Sequence, residues 1–447
     1  MNRRDFLRLT SGLTASFLVA NRAGAETGLP LPLEQVEFLG GNDAQTLVIY
    51  LMGGMSDIIG NMSNFDELVS IDGEYNNYLN RFTTTTDGFW SEAGGDYIQT
   101  MVSNGDATIF RTCEQTDLLK AHKLNQIRFM RGNDLGYDSG MVSTMFHVLD
   151  RFNAVDPNAI MSNVSFVDSN FELLTDAAAD SALPSYLKPV SLGASLDNPF
   201  SRKAHFLSWL DESVIDGLSM QRNSEFTSEG GNPLLENFFI QRESLDSFMV
   251  SLANESLPDG IDYRSDIDGT IRYDDYNFGK NIEQAMRILI ANPDTKVLSM
   301  TTQSWDDHSN ALTLHADRGH YLFKAIYTAI EHAKKAGRDN LNIILFGDFG
   351  RNLKINQALG WDHGNNQCFM WFGGKAYVNH KGVVGETVLE SANEYRIFTT
   401  PAQTSYRFEP YSIAATFYRL YGIKNPEVLT GGRSEVCRGF SEPFLKV

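Results

Sequence analysis

Five short apolar runs, separated by helical patterns, constrain the fold of this chain more than any other feature. They lie at residues 46–52, 107–111, 296–300, 342–346 and 368–372. Runs of this length that are rich in β-branched and aromatic residues are typical of buried strands. Strands that alternate with helices predict a doubly wound α/β fold with a mainly parallel sheet.

Three segments have the features of helices that cover such a sheet. Apolar residues recur with a 3.6-residue period over residues 316–335, and the pattern stops at Gly337, a residue suited to a helix C-terminus. A similar pattern occupies residues 281–291. The third segment, residues 410–420, starts with a proline and ends before Gly422. The sequence therefore predicts helices at these three places.

The range 155–275 differs from the rest in its polar turns and in two helical segments, at about 205–218 and 234–252. We interpret it as a mostly helical insertion or cap that divides the α/β domain into residues 26–154 and 276–447. A second independent domain is the alternative, and the sequence favours neither.

The first 25 residues resemble a twin-arginine signal peptide. Arg3 and Arg4 precede Phe-Leu and a weakly apolar stretch, and Ala23-Gly24-Ala25 fits a cleavage site. The Tat translocase is then a partner during export, and the expected location is the periplasm or the extracellular space. No later segment reaches the ~20 apolar residues that span a bilayer, so no transmembrane segment is predicted in the mature chain.

The charge balance excludes one class of partner. The chain has 37 Lys and Arg residues against 56 Asp and Glu residues, a formal net charge of −19. Nucleic-acid binders need clustered basic residues, so no nucleic acid is expected as a partner. An acidic surface also repels anionic esters, and such a substrate would require local cations, most simply metal ions.

Polar residues follow three of the predicted strands, at the places where ligands gather in α/β proteins. The segments are Gly53 to Asp57, Trp305 to Asn310, and Gly347 to Arg351, with Gly360 to Gly364 close behind. Carboxylates and imidazoles that meet at one sheet edge form sites for one or two divalent metals, here zinc, manganese, calcium or magnesium.

Other resemblances and histidines are set aside. Asp348-Phe349-Gly350 matches a kinase magnesium motif, but the chain lacks the glycine-rich loop and the His-Arg-Asp of kinases. His315 and His320 are five residues apart on a predicted helix, so they do not share a face. The histidines without a carboxylate cluster beside them are interpreted as structural: His147, His205, His332 and His380.

The order of these motifs resembles a large bacterial family of twin-arginine-exported proteins, classed as a domain of unknown function within the alkaline phosphatase and sulfatase superfamily. The family spellings are Trp-Asp-Thr-His, Glu-Phe-Gly-Arg and Gly-Thr-Asp-His-Gly, and the resemblance is dense over residues 280–375. It implies an alkaline phosphatase-like sheet whose strand ends hold divalent metals. The ligands that it implies are Asp57, Asp306, His308, Asp348, Asp362 and His363.

The resemblance also implies catalytic roles. His122, at the start of a helix, would help to hold the substrate anion. Arg351 would either bind a substrate oxyanion or pair with Asp348; both readings stay open.

Three positions depart from the family pattern. Ala121 stands where relatives have a nucleophilic serine, Asp57 is shifted by one residue, and Asp348 replaces a glutamate. Thr112, Cys113, Thr116 or a metal-bound hydroxide would have to replace the serine. No Cys-x-Pro-x-Arg or Ser-x-Pro-x-Arg occurs, which disfavours a formylglycine sulfatase.

Two functions are therefore expected. The first is an exported metal-dependent hydrolase for small anionic phosphate or sulfate esters. The second is a catalytically inactive binding or assembly protein with a periplasmic or cell-surface protein partner.

Overall fold

The computed structural model describes most of the chain outside the N-terminus and the range 193–254. The described residues are 29–56, 75, 83–115, 121–166, 171–176, 182–192, 247–248, 251–252, 255–302, 305–385, 388–389, 397–398 and 406–447. Among them, no helix is both long enough and apolar enough to cross a membrane.

The described strands and helices are numbered in chain order. The strands are β1 (Gln45–Leu51), β2 (Ala107–Glu114), β3 (Asn163–Phe166), β4 (Val190–Leu192), β5 (Ser265–Ile267), β6 (Thr270–Arg272), β7 (Val297–Thr302), β8 (Leu341–Gly347), β9 (Gly350–Ile355), β10 (Trp361–Gly364), β11 (Asn366–Gly373), β12 (Gly382–Val384), β13 (Val388–Leu389) and β14 (Ile397–Phe398). The α-helices are α1 (Gly95–Ser103), α2 (His122–Arg131), α3 (Met141–Arg151), α4 (Phe171–Leu174), α5 (Phe278–Ala291), α6 (Ala311–Lys335), α7 (Tyr411–Leu420) and α8 (Glu427–Thr430).

Eight strands form the central sheet, in the order β12-β2-β11-β8-β1-β7-β3-β4. Strands β1, β7, β8, β3 and β4 pair in parallel, and β12 is parallel to β2. Only β11 is antiparallel to its two neighbours, β2 and β8. This mainly parallel sheet confirms the predicted α/β class.

Helices cover both faces of the sheet, as the alternation of side chains in β1 shows. Leu47 and Ile49 belong to one buried cluster, together with residues of α1, α5 and α6. Val48 and Tyr50 belong to a second cluster, with residues of α3 and α7. Successive side chains of a strand point to opposite faces, so β1 is buried on both sides, as a doubly wound fold requires.

All five predicted strands are strands of this sheet, namely β1, β2, β7, β8 and β11. The three predicted helices correspond to α5, α6 and α7. Helix α6 begins five residues before the predicted start, and Pro410 is the N-terminal cap of α7. Gly337 follows the end of α6 with a φ of +66°, a conformation that glycine adopts without strain.

The sheet extends into the range predicted as a helical insertion. Strands β3 and β4 lie within 155–275, and both belong to the central sheet. Asn163 and Ser165 make β3 half polar although it is fully buried, so its four residues lack an apolar run. Of the two helical segments predicted here, 205–218 lies outside the described residues, as does 234–252 apart from 247–248 and 251–252.

The carboxyl ends of β1, β7 and β8 lie side by side because these strands are adjacent and parallel. The chain turns sharply after β1 at Gly53 and Gly54, whose φ angles are +102° and +75°. A Cβ atom on Gly54 would lie 2.0 Å from the carbonyl oxygen of Phe349. Glycine is therefore required for the loops after β1 and β8 to approach each other this closely.

Candidate metal centre

Segments from distant parts of the chain meet at this edge of the sheet. The loop after β7 carries Asp306 and His308, and β10 carries His363, opposite Arg351 of β9. His122 is the first residue of α2. Because β11 runs antiparallel, its start also lies at this edge, which brings the β9–β10 hairpin beside the ends of the parallel strands.

Four of these side chains form a cluster, here called the His/Asp group: His122, Asp306, His308 and His363. Each offers one ligand atom, and these atoms all lie within 4.8 Å of one another. Asp306 Oδ1 is central, at 3.1 Å from His122 Nε2, 2.9 Å from His308 Nε2 and 3.7 Å from His363 Nε2. Asp306 and His308 are nearly half exposed, so solvent reaches the group.

Two further carboxylates lie behind histidines of the group. Asp348 Oδ2 is 2.8 Å from His122 Nδ1, and Asp362 Oδ1 is 3.3 Å from His308 Nδ1. The Asp348 contact is a hydrogen bond, and because a carboxylate only accepts, it favours a proton on His122 Nδ1 and directs the Nε2 of that ring at the group. Carboxylates behind metal-binding histidines commonly fix the imidazole tautomer in this way.

Asp348 is fully buried and its carboxylate is well supplied with donors. Besides His122, Gln126 Nε2 donates to Oδ2 at 2.9 Å, and the amide of Gly53 lies 3.2 Å from Oδ1. Gln115 Nε2 donates to the backbone carbonyl of Asp348 at 2.6 Å. These bonds connect α2 to the loops after β1, β2 and β8 and fix the position of His122.

Arg351 connects the loops that follow β1 and β7. Its guanidinium is fully buried and donates to Asp306 Oδ1 at 2.9 Å. It also donates to backbone carbonyls of the β1 and β7 loops, those of Gly53, Gly54 and Trp305. Two roles were expected for Arg351, pairing with Asp348 and contact with a substrate oxyanion. Within the described residues Arg351 makes no hydrogen bond to Asp348, and its guanidinium is buried. The partner of Arg351 is Asp306.

The pKa values of the group differ between its members. Burial, with the nearby charges of Arg351 and His122, lowers the pKa of His363 to about 4. Burial opposes protonation of His122 as well, but the hydrogen bond to Asp348 and the charges of Asp306 and Asp348 outweigh it and raise the pKa of His122. Burial raises the pKa of Asp306, but the hydrogen bond and charge of Arg351, with the charges of the histidines, outweigh burial and lower this pKa.

The residues of the group fit a divalent cation. Within the described part of the chain, His122 Nε2 and His363 Nε2 are buried and make no hydrogen bond. Buried polar atoms are almost always partnered, and a cation would partner these ring nitrogens, which face a carboxylate. Three imidazoles and one carboxylate are a donor set that suits zinc or a similar borderline metal.

The remaining predicted residues have other surroundings. Asp57 and Thr116 lie outside the described residues. Thr112 and Cys113 are fully buried in β2, and Cys113 is part of the apolar cluster around α3 and α7. Ala121 caps α2 without a side-chain hydrogen bond.

A second polar cluster lies beside the group and was missed by the sequence analysis. Asp307 Oδ2 is 2.5 Å from His315 Nδ1 and accepts a hydrogen bond from Arg318. All three side chains are buried. His315 and Arg318 are three residues apart on α6 and so share a face, which is the sequence signal that could have linked them.

A family model described as "Protein of unknown function (DUF1501)" matches residues 102–435, which is most of the chain. The chain belongs to this family. The match includes every residue of the His/Asp group. A comparison with curated proteins finds no match.

Several solved structures are similar to this DUF1501 chain. One is a protein in the alkaline phosphatase superfamily from Vibrio parahaemolyticus, with 11% identity, a TM-score of 0.38, and coverage of 97% of this chain and 78% of that one. The lipoteichoic acid synthase LtaP from Listeria monocytogenes has 12% identity and a TM-score of 0.38, covering 88% and 77%. The C-terminal periplasmic domain of EptC from Escherichia coli, in a complex with Zn, has 9% identity and a TM-score of 0.38, covering 93% and 95%. The α/β assignment rests on the sheet itself.

Proposed function

We propose that this protein is an exported, metal-dependent hydrolase of phosphate or sulfate esters. The observation that carries the proposal is the His/Asp group, which combines unpartnered imidazole nitrogens with access from solvent. A cation at this place also reverses the local field in a chain with a net charge of −19, so that an anionic ester can approach.

The donor set favours zinc among the four candidate metals. Calcium and magnesium prefer oxygen ligands, whereas three of the four residues here offer imidazole nitrogen. His122, Asp306, His308 and His363 would hold the ion. A bound divalent cation supplies Lewis acidity, which stabilises negative charge that develops on the ester oxygens.

The residues of the chain then act by positioning. Asp348 holds His122 with its Nε2 directed at Asp306, and Asp362 does the same for His308. Arg351 holds the carboxylate of Asp306 and the loops around it. Because its guanidinium is fully buried, we assign Arg351 this positioning role rather than contact with the substrate.

The attacking group is proposed to be water. The methyl group of Ala121 cannot act as a nucleophile, and Thr112 and Cys113 are buried in β2. Direct attack by water forms the new bond from its oxygen to phosphorus or sulfur and breaks the bond to the alcohol, which leaves with a proton from the water, so no covalent ester forms on the protein. Export through the Tat translocase to the periplasm or beyond is supported by Arg3 and Arg4 of the N-terminal segment.

The test begins with the metal content of the purified protein. We expect about one equivalent of zinc in the wild type and less than a tenth of that in His308→Ala and His363→Ala. His320→Ala, which changes a histidine of α6 outside the group, is the matched control and should keep its zinc.

Turnover is measured with 4-nitrophenyl phosphate and sulfate in the same four proteins. Hydrolysis by the wild type and the control, lost in the two variants, supports the hydrolase. Equal turnover in all four would contradict it, as would a wild type without metal.

A specific observation favours a second function, an inactive binding or assembly protein. Ala121 occupies the position at which the resemblance to the family implies a serine. This function predicts a zinc-containing wild type without turnover, a stoichiometric periplasmic or cell-surface protein partner, and turnover gained in Ala121→Ser. The hydrolase predicts turnover in the wild type, so the same assay separates the two.

A further inference from the structure

A pocket with several arginines is lined by the C-terminal half of α2, the helix that begins with His122 of the His/Asp group. Its volume is about 340 Å³, which lies within the usual range for small-molecule sites. We call it the arginine pocket and define it by six of its lining residues: Gln115, Arg128, Arg131, Tyr137, Tyr411 and Arg433.

The arginine pocket is connected to the metal centre by two elements. Gln115 lines the pocket and donates to the backbone carbonyl of Asp348, whose carboxylate holds His122. Helix α2 carries His122 at its start and Arg128 six residues later, about 9 Å along the helix axis. An alcohol the size of a disaccharide can bridge this distance.

Three guanidinium groups line the arginine pocket, those of Arg128, Arg131 and Arg433, together with the carboxylates of Asp134 and Glu409. Arg131 is ion-paired with Asp138, and Arg433 lies 3.7 Å from Asp134 Oδ2. Guanidinium groups bind carboxylates, phosphates and sulfates with paired hydrogen bonds, so Arg433, whose Nε makes no hydrogen bond within the described residues, favours an anionic ligand.

Two lining residues have buried polar atoms without a hydrogen-bond partner among the described residues. Gln115 Oε1 is an acceptor and Arg433 Nε is a donor. Gln115 is 3% exposed, so solvent does not satisfy its side chain. Such atoms are costly to bury unpartnered. A hydroxyl donor for Gln115 and an anionic acceptor for Arg433 would satisfy both.

Aromatic rings complete the pocket wall. Tyr411 packs against Phe129 with ring centroids 5.7 Å apart, and Tyr137 lies nearby in the lining. Aromatic faces beside planar polar groups suit a ring with apolar C–H faces and polar edges.

We infer that the arginine pocket binds an acidic sugar unit in the alcohol part of the ester. The inference rests on the proposed hydrolase function and specifies its substrate class: an ester of an oligosaccharide that carries a carboxylate or a second sulfate or phosphate. Arg433 binds the acidic group, and Gln115 Oε1 accepts from a sugar hydroxyl.

The experiment measures binding of glucuronate, with glucose as its uncharged counterpart, to the full chain by ligand-observed NMR titration. The wild type should bind glucuronate at least about tenfold more tightly than glucose. Arg433→Gln should lose about tenfold in glucuronate affinity, since it removes one charge-assisted contact. A thermal unfolding curve that matches the wild type establishes that the variant is folded.

The matched control is Arg438→Gln. Arg438 is an exposed arginine of the same C-terminal segment, paired with Glu427 at 3.4 Å and outside the pocket lining. This variant should bind glucuronate like the wild type. Arg128→Gln, a second change in the pocket, should weaken binding to a similar extent as Arg433→Gln.

Metal removal separates this inference from the proposed hydrolase. Glucuronate should bind equally to protein treated with chelator and to zinc-loaded protein, because the pocket does not contain the His/Asp group. The inference is overturned by equal affinities for glucuronate and glucose, by Arg433→Gln binding like the wild type, or by loss of binding with the metal. A zinc-free, inactive protein that still binds glucuronate through Arg433 would refute the hydrolase alone.

Discussion

Asp306 and Asp307 are adjacent in the sequence, yet their carboxylates belong to two different kinds of cluster. Asp306 is 45% exposed and faces three histidines, two of which have a buried nitrogen that makes no hydrogen bond within the described residues. Asp307 is 6% exposed, and its partners His315 and Arg318 come from a single helix. The same residue types thus build one cluster that solvent reaches and one that is closed within the protein.

This difference teaches where to look for function. A buried carboxylate with a cationic partner stabilises the fold only if the partner remains, because an uncompensated buried charge is costly. A half-exposed carboxylate that faces several imidazoles is reached by solvent and is available to a cation. Changes at Asp307 should therefore affect stability, and changes around Asp306 should affect metal binding.

The largest expected effect is on stability. Asp307→Ala leaves Arg318 and His315 buried without their carboxylate and should lower the free energy of unfolding by about 3–5 kcal/mol. Urea unfolding followed by circular dichroism measures this in metal-free protein. Asp362→Ala removes a carboxylate of the metal centre that is 66% exposed and leaves no buried cation without a partner, so it should cost less than half as much. Equal losses would remove the distinction between the two clusters.

The next effect is on metal affinity. Asp348→Asn removes the charge behind His122 and keeps the side-chain shape, and it should weaken zinc binding by about 10–100-fold, the usual result of losing a carboxylate behind a histidine ligand. Competition with a chromophoric chelator gives the affinity. An unchanged affinity would show that His122 needs no partner to act as a ligand.

The pH dependence should separate the two histidines whose pKa values move in opposite directions. A ligand must lose its proton, and the pKa of His122 is raised by Asp348 and Asp306 whereas burial lowers that of His363 to about 4. Zinc affinity should therefore fall about tenfold per pH unit once the pH drops below the raised pKa of His122. Protonation of His363 contributes to the loss of zinc affinity only near pH 4.

Asp348→Asn also provides the control for the pH experiment. Without the carboxylate, the pKa of His122 decreases, so the fall in zinc affinity should begin at a lower pH than in the wild type. A fall that starts at the same pH in both proteins would assign the proton to a different group.

The smallest effect is expected at Asp362. This residue contacts His308 at 3.3 Å but is 66% exposed, so solvent screens the interaction. Asp362→Asn should reduce zinc affinity by less than about threefold in the same chelator competition. A loss as large as that of Asp348→Asn would mean that exposure does not separate the two carboxylates, and that Asp362 is itself a ligand.

Much of the fold could be predicted from the sequence because its central strands are continuous apolar runs. Strands such as β1 and β8 are buried on both faces, and this burial requires apolar side chains along their whole length. Strand β3 could not be predicted in this way, since Asn163 and Ser165 are polar but buried. Its place in the sheet follows from pairing with β7, which is a long-range property.

The candidate site could be predicted only in part. The motifs identify Asp306, His308 and His363, because polar residues after parallel strands converge at one edge. They do not reveal that Asp348 and Asp362 lie behind histidines, because the direction of a side chain depends on the loop backbone. His122 was predicted to hold the substrate anion, whereas its Nε2 lies in the His/Asp group.

The antiparallel strand β11 has a consequence for the order of events in folding. Because β11 runs antiparallel to β8, these two strands and the β9–β10 hairpin between them all lie within residues 341–373. Arg351 and His363 are therefore brought together by short loops. His122, in contrast, is separated from Asp348 by 226 residues. Closing such a long loop requires the sheet to be in place, so the complete set of ligands exists only in the folded chain. A metal ion at the proposed centre would therefore bind after folding and connect distant segments, and the stability that it adds would rise with the logarithm of its free concentration.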